Sequence, residues 1–174
     1  MTDARKGHPL QTRSGIQYYP LDPRASEVRL RDIAHSLSML CRYNGHCNGF
    51  YSVAEHSVLV SQQVPPEHAL SALLHDATET YCSDVPRPLK VDLVGYAEIE
   101  HRNWLAIACK FGLDLTMHES IHIADNAVLL AEKQQIVDNH FDWNIPGTAA
   151  NVQIKCLAPH LAYDLFINRF VELF

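Results

Sequence analysis

Two short segments on either side of a proline turn combine histidine with acidic side chains, and a third acid lies further along the chain. His56 precedes the turn at Pro65-Pro66, the adjacent pair His75-Asp76 follows it, and Asp125 comes later. Imidazole nitrogen and carboxylate oxygen are ligands that many divalent cations accept. A His-Asp dipeptide alone is weak evidence, since short motifs also arise by chance. Together, these residues could hold a catalytic metal ion.

The proline turn sets the relative height of the two histidines. His56 lies nine residues before Pro65, and His75 lies nine residues after Pro66. A continuous helix cannot pass through two adjacent prolines, so the segments on either side are predicted to be separate helices. In an antiparallel pair of helices joined at this turn, the two histidines would lie at one level.

The neighbours of His56, Asp76 and Asp125 at helical spacing are mostly apolar, which predicts that these side chains face the interior. The apolar neighbours are Val53, Leu59, Val60, Ala69, Ala72, Leu73, Ile121, Ala124, Val128 and Leu129. An ionised carboxylate in the interior is costly unless it is paired or bound to a metal. Two carboxylates that face two histidines would therefore be stabilised by a divalent cation. For one histidine alone, the alternative is a hydrogen-bonded core residue.

Helical periodicity dominates the rest of the chain, and strand-like alternation is scarce. An apolar stripe from Leu30 to Cys41 predicts the first helix. Further helices are predicted over residues 52–64, 67–80 and about 97–111, and Gly112 suits the end of the last of these. Thr116–Glu119 fits a capping box for the helix that carries Asp125. Pro159 suits the first position of a final helix that ends near Phe174.

Two segments are predicted to lack regular structure. Tyr18–Pro23 contains two prolines and is expected to be an extended or turn segment that lies across a helical surface. Residues 138–158 show no clear periodicity. The expected fold class is therefore all-α, in a single compact domain over residues 1–174.

Composition excludes several classes of protein. The net charge of −6, without a basic stripe, argues against binding to a nucleic-acid polymer. No apolar stretch approaches the ~20 residues of a membrane span, and no signal-peptide core follows Met1–Lys6, so a cytoplasmic protein without membrane contact is expected. The five cysteines form no Cys-x-x-Cys pair. They argue against a disulfide framework or a thiolate zinc site and are expected to be small buried hydrophobes.

With these residues assembled, the chain resembles the HD-domain metal-dependent phosphohydrolases over most of its length. More specifically, it is similar to the YfdR and YfbR group of bacterial and phage nucleotide hydrolases, which includes phage dATP triphosphohydrolases. The resemblance is carried by the segments Asp32–Ser38, Cys41–His46, Phe50–His56 and Ala72–Lys90. It implies a compact helical HD-domain bundle that often assembles as a homo-oligomer.

The resemblance also implies a set of metal ligands and a catalytic acid. The implied ligands are His56, His75, Asp76 and Asp125. Two imidazoles and two carboxylates suit Mn²⁺, Co²⁺, Mg²⁺, Fe²⁺ or Zn²⁺ without selecting one of them. The resemblance adds Glu79, one turn further on, as the group that handles the proton of an attacking water. His35 is an alternative ligand, and a solvated helix residue is the alternative for Glu79.

A substrate pocket is implied around the same segment. Asp84 would orient the sugar or assist proton transfer, and a turn or cap role is its alternative. Arg87 and Lys90 are candidate phosphate contacts, because a fixed cation offsets charge on phosphoryl oxygens. Solvated surface residues are the alternative for both. Arg42 and His46 are further candidates for the pocket.

The chain departs from the family pattern at one place that concerns the substrate. Tyr18-Tyr19-Pro20 stands where the deoxynucleotidase pattern has Arg-Trp-Pro. Tyr19 keeps a flat face for a ribose or a base, but Tyr18 cannot supply positive charge to a phosphate. This difference favours a triphosphate over strict monophosphate recognition.

The expected function is metal-assisted hydrolysis of deoxynucleoside phosphates. The substrate would be a dNTP, split into deoxynucleoside and triphosphate, or a dNMP, split into deoxynucleoside and phosphate. dATP is one candidate substrate. A first alternative is a two-iron HD-type oxygenase that recruits His101, His118 or His122 around a second metal. The other is a noncatalytic helical interaction protein whose polar cluster is only a core network.

Overall fold

The computed structural model describes residues 5–138 and 141–174, which form eight α-helices and one small antiparallel sheet. The predicted all-α fold is confirmed. The strands are β1 (Leu10–Gln11) and β2 (Gln17–Tyr18), and the helices are α1 (Leu30–Met39), α2 (Val53–Ser61), α3 (Ala69–Leu73), α4 (Glu79–Cys82), α5 (Arg87–Lys90), α6 (Tyr96–Phe111), α7 (Glu119–Gln135) and α8 (Pro159–Leu173). Within these residues, no helix combines the length and apolar character needed to cross a bilayer. Residues 1–4 of the N-terminal segment and residues 139–140 of the predicted irregular stretch lie outside the described residues.

Helix α2 occupies the centre of the fold. It packs against α1, α3, α7 and α8, and eight of its nine residues are buried. A helix that is buried on all sides belongs to the core of a protein. Its first turn is capped by Ser52, whose hydroxyl oxygen accepts a hydrogen bond of 3.1 Å from the backbone N–H of Glu55. The helix that carries His56 is therefore fixed by packing against four other helices and by its N-cap.

Residues 141–158 contain no helix or strand, as predicted for this part of the chain, and Glu55 of α2 ties the end of the stretch to the core. The two carboxylate oxygens of Glu55 accept hydrogen bonds of 2.7 Å each from the backbone N–H groups of Lys155 and Leu157. Glu55 is buried. These bonds satisfy backbone donors that have no ladder partner.

We expect Glu55→Ala to lower the free energy of unfolding by about 1–3 kcal/mol, because it leaves two part-buried backbone donors without acceptors. Urea denaturation followed by circular dichroism measures the change. Glu67→Ala is the matched control, since Glu67 is exposed, and it should shift stability by no more than about 0.5 kcal/mol. Equal effects of the two substitutions would contradict the role of Glu55.

The predicted continuous helix over residues 67–80 is wrong. Helix α3 ends at Leu73, and residues 74–78 form turns before α4 begins. The Nδ1 atom of His75 lies 2.8 Å from the carbonyl oxygen of Ala72, the oxygen that a continuous α-helix would pair with the N–H of Asp76. The N–H groups of Ala77 and Glu79 bond three residues back, as in a 3-10 turn. This tighter turn carries His75 and Asp76.

The other predicted helices differ mainly at their ends. The helix predicted over 52–64 is α2, which ends at Ser61 because the following N–H groups bond three residues back. Helix α6 ends as predicted at Gly112, which has a φ of 68°. The final helix begins as predicted at Pro159.

The predicted capping box at Thr116–Glu119 is wrong. Helix α7 begins at Glu119, and its N-cap is His118, whose ring Nδ1 accepts a bond of 3.2 Å from the N–H of Ser120. A box with Thr116 as its cap would need the helix to begin at Met117, the residue after Thr116 and two residues before the observed start. The extended backbone of His118, with ψ of 146°, prevents that.

The N-terminal hairpin lies across the helices, as predicted for the segment around Tyr18. The N–H and hydroxyl of Ser14, in the turn between the strands, donate bonds of 2.7 and 2.6 Å to the buried Asp32 of α1. Tyr18 donates to Asn103 of α6 over 2.8 Å. Its ring stacks on Tyr81 of α4 with centroids 3.6 Å apart. These contacts fix the hairpin against α1, α4 and α6.

The expectation that the cysteines are buried hydrophobes is wrong. All five are free thiols; Cys109 is exposed and the other four are partly exposed. Cys82 packs against the core from the end of α4, whereas Cys109 lies on the exposed face of α6. Cys41 and Cys47 are in the loop between α1 and α2, with their sulfur atoms 3.9 Å apart.

Candidate metal centre

Three elements bring His56, His75 and Asp125 together: α2, the turn after α3, and α7. Each residue can offer one ligand atom, and these atoms lie within 4.8 Å of one another. The two imidazole centroids are 5.4 Å apart, and Nε2 of His56 is 3.2 Å from Oδ1 of Asp125. The two histidines therefore lie at one level across the turn at Pro65-Pro66, as their spacing predicts.

Both histidines direct into this cluster a nitrogen that forms no hydrogen bond in the described part of the chain but lies 3.2 Å from a carboxylate oxygen. The Nε2 atoms of His56 and His75 are buried and form no hydrogen bond within the described residues. In His75, Nδ1 bonds to a carbonyl oxygen, which can only accept, so Nδ1 carries a proton and the lone pair of the neutral ring is on Nε2. Buried nitrogens without partners are rare and costly. The donor set of the cluster therefore fits a divalent cation.

Charges within the cluster favour the ionic forms of its members. Burial and Arg42 act to lower the pKa of His56, but Glu132 and Asp125 outweigh them and raise it to about 9. Burial acts to raise the pKa of Asp125, but His56 and His75 hold it well below its usual range. A cation that bound Nε2 of His56 would have to displace its proton, so metal uptake would release a proton at neutral pH.

Asp76 borders the three-residue cluster. Its Oδ2 lies 3.2 Å from Nε2 of His75 and 3.6 Å from Nε2 of His56. Burial acts to raise the pKa of Asp76, but His75 and His56 lower it below the usual range. The carboxylate is therefore ionised and placed to add an oxygen as a fourth ligand.

Glu79 and Asp84 lie beside the cluster, and their pKa values are raised, whereas those of Asp76 and Asp125 are lowered. Glu79 is buried, and its Oε2 has no hydrogen-bond partner within the described residues. Burial, together with the charges of Asp76 and Asp84, raises the pKa of Glu79 well above its usual range. Burial also raises the pKa of Asp84. Carboxyl groups with raised pKa values beside an ionised carboxylate are typical of acid–base sites.

The two candidate phosphate contacts lie on α5, and each has an acidic partner. Arg87 is largely exposed, and its Nη2 lies 2.7 Å from Oδ2 of Asp125. Its Nη1 lies 3.3 Å from the amide oxygen of Asn126. The amine of Lys90 is 2.7 Å from Glu100 of α6. Arg87 is thus the exposed cation in direct contact with a member of the cluster.

The other substrate-contact candidates have different surroundings. Tyr18 has no exposed surface, so the structure places it in the core instead of a pocket. One face of Tyr19 is covered by the guanidinium of Arg5, 4.1 Å from the ring centroid. Arg42 is nearly buried and bonds to Glu132. His46 is exposed in the loop between α1 and α2.

The histidines that a second metal would need are dispersed. His101 and His122 are exposed on α6 and α7. His118 stacks on His68, with centroids 4.0 Å apart. In the part of the chain that the structure describes, one group of side chains could hold a metal ion, namely His56, His75 and Asp125, which Asp76 borders. The placement of these histidines provides no argument for a two-iron centre.

Sequence reasoning missed Glu132 of α7. This side chain is fully buried, and its Oε1 lies 2.6 Å from Nδ1 of His56. The available signal was spacing, since Glu132 follows Asp125 by seven residues, or about two helical turns. The two acids therefore lie on one face of α7, towards α2.

Comparison with known proteins gives a family for the chain. No protein-family model matches it. It is 40% identical over 169 residues to the uncharacterized protein YfdR of Escherichia coli strain K12, with 94% of each chain covered. It is 35% identical over 137 residues to an uncharacterized protein of Rhodobacter capsulatus, with 71% of this chain and 70% of the relative covered. The chain therefore belongs to the YfdR family.

Proposed function

We propose that this protein is a metal-dependent hydrolase of deoxynucleoside phosphates with an HD-domain active site. The observation that carries the proposal is the pair of buried Nε2 atoms on His56 and His75, which form no hydrogen bond within the described residues and face Asp125 and Asp76, with Glu79 alongside. A divalent cation in this cluster would polarise a phosphoryl oxygen and lower the pKa of a water molecule. His56, His75, Asp76 and Asp125 would hold it.

Glu79 is the group best placed to handle the proton of the attacking water. In its ionised form it accepts that proton. In its protonated form, which burial favours, it returns a proton to the leaving oxygen. Asp84 supports this role, because its nearby charge acts to raise the pKa of Glu79. A carboxyl group whose pKa is raised above its usual range is suited to both steps.

The phosphate part of the substrate is supported by Arg87. The chain carries a net charge of −6, so an anionic substrate needs a local cation. Arg87 is 61% exposed and reaches Asp125 from the solvent side. A phosphate that approaches the cluster would meet this guanidinium, which can bind two phosphate oxygens at once. The deoxynucleoside part rests on the resemblance of Cys41–His46 and Ala72–Lys90 to the YfdR and YfbR group.

A nucleotide panel tests the proposal. Metal-stripped protein is reloaded in turn with Mn²⁺, Co²⁺, Mg²⁺, Fe²⁺ and Zn²⁺ and incubated with dNTPs, dNMPs and the matching ribonucleotides. We expect a deoxynucleoside to be released only in the presence of metal, with triphosphate or phosphate as the second product. Absence of hydrolysis with every combination of metal and nucleotide, or equal hydrolysis after the metal is removed by a chelator, would contradict the proposal. Oxygen consumption with two irons per chain would instead support an oxygenase.

A further inference from the structure

Glu132 accepts hydrogen bonds from four side chains in the interior. Its Oε1 accepts from Nδ1–H of His56 over 2.6 Å and from the hydroxyl of Tyr51 over 2.8 Å. Its Oε2 accepts from the hydroxyl of Tyr43, and from Nη2 and Nε of Arg42 over 3.1 and 3.3 Å. Glu132 is 0% exposed. The carboxylate is therefore ionised in a site where every lone-pair direction has a donor.

The bond to His56 decides which ring nitrogen is available to a cation. A carboxylate can only accept a hydrogen bond, so Nδ1 of His56 carries a proton. The nitrogen available to a cation is then Nε2, which lies 3.2 Å from Oδ1 of Asp125. A carboxylate behind a metal-bound histidine fixes its tautomer and ring orientation and increases its basicity.

We infer that Glu132 is a positioning residue that presents Nε2 of His56 to the metal, and that Arg42, Tyr43 and Tyr51 hold Glu132 in place. This inference rests on the proposed function, because it needs a metal in the cluster. Glu132 is not a catalytic residue, since it is fully buried and contacts the cluster only through His56 and Arg42.

Arg42 links this support to the cluster itself. Its Nη2 lies 3.1 Å from Oε2 of Glu132, and its Nη1 lies 3.7 Å from Oδ2 of Asp76. One guanidinium therefore lies between the buried carboxylate behind His56 and a carboxylate at the metal site. Arg42 compensates the charge of both, which is a different role from the substrate contact expected from the sequence.

The loop between α1 and α2 supplies the three supporting donors. Arg42 and Tyr43 form part of a 3-10 turn, and Tyr51 immediately precedes the cap of α2. The N–H of Arg42 bonds to the carbonyl oxygen of Tyr51 over 2.9 Å, which closes the loop at its base. The geometry of this loop is thus transmitted to His56 through Glu132.

The test is the metal affinity of the Glu132→Gln variant. The substitution keeps the shape of the side chain but removes its charge and one acceptor. We expect Mn²⁺ or Co²⁺ to bind about 10–100-fold more weakly to the stripped variant than to the wild type by calorimetry. The visible spectrum of bound Co²⁺ should also change, which a purely structural role would not cause. Glu67→Gln is the matched control and should bind like the wild type.

A folded Glu132→Gln variant with wild-type metal affinity would overturn the inference. If that variant does not fold, Tyr51→Phe decides, because it removes one donor to Oε1 of Glu132 without removing the carboxylate. A loss of about two- to tenfold in metal affinity supports the inference, and no loss overturns it.

The readout separates this inference from the proposed function. A wild-type protein that binds metal but hydrolyses no nucleotide contradicts the function and leaves the affinity test valid. A wild type that hydrolyses nucleotide, beside a Glu132→Gln variant with unchanged affinity, overturns only the role of Glu132. A wild type that binds no divalent metal overturns both.

Discussion

His75→Ala is expected to weaken divalent-metal binding by more than the roughly 10–100-fold that loss of an outer-shell partner costs, and to reduce nucleotide hydrolysis to background. The substitution removes one of the two Nε2 atoms in the cluster that form no hydrogen bond in the described part of the chain. His75 is a cleaner test than His56, because the other nitrogen of its ring contacts only a backbone carbonyl within the described residues. His56 is tied to the Glu132 network.

Calorimetric titration of stripped protein measures the metal affinity, and an assay at saturating nucleotide measures the rate. The matched control is His160→Ala, because His160 is exposed on α8, outside the cluster. It should change neither quantity. Wild-type metal affinity in His75→Ala would show that the cluster is a core network without metal.

Glu79→Gln is expected to slow hydrolysis by about 10²–10⁴-fold while metal affinity stays within a few-fold of the wild type. The substitution removes the group that is proposed to take the proton but leaves the His–Asp cluster intact. Steady-state rates with the best nucleotide from the panel, together with metal titration, separate the two effects. Glu67→Gln is again a suitable control. A variant with the wild-type rate would exclude Glu79 from the proton transfer.

The same variant has an expected effect on stability. The pKa of Glu79 in the folded protein is raised well above its usual value, mainly by burial. Below the unfolded-state pKa this group is neutral in both states and costs nothing. As the pH rises above that value, the unfolded state ionises first, so the metal-free protein loses stability until the folded pKa is reached. Glu79→Gln should remove this loss, and parallel melting-temperature profiles of both proteins between pH 4 and pH 8 would contradict the assignment.

Spacing alone was enough to place the two histidines at one level, although the second helix is not continuous. His75 lies only two residues beyond the end of α3, so the turn keeps it close to the helix axis. Periodicity could not show the break, because the bond from the ring of His75 to the carbonyl of Ala72 depends on the side-chain conformation. The apolar neighbours of His56 and Asp125 correctly predicted that both face inwards.

Long-range pairings account for most of what the sequence did not reveal. The stack of Tyr18 on Tyr81 joins the hairpin to α4. Tyr18, which was predicted to line the pocket, therefore lies in the core. The carboxylate of Glu132 accepts hydrogen bonds from side chains of a loop that is distant in sequence and contains Arg42. Local patterns indicate which face a residue occupies on its own element. They do not indicate which element lies opposite that face.

The measurement that tests the central claim most directly is the rate of deoxynucleoside release as a function of metal occupancy. Stripped protein is titrated with the most effective metal, and bound metal and product are quantified in the same samples. The proposed site predicts a rate that rises in proportion to occupancy and levels off at one metal per chain. Hydrolysis without metal, or full occupancy of the cluster without hydrolysis of any deoxynucleotide, would contradict it.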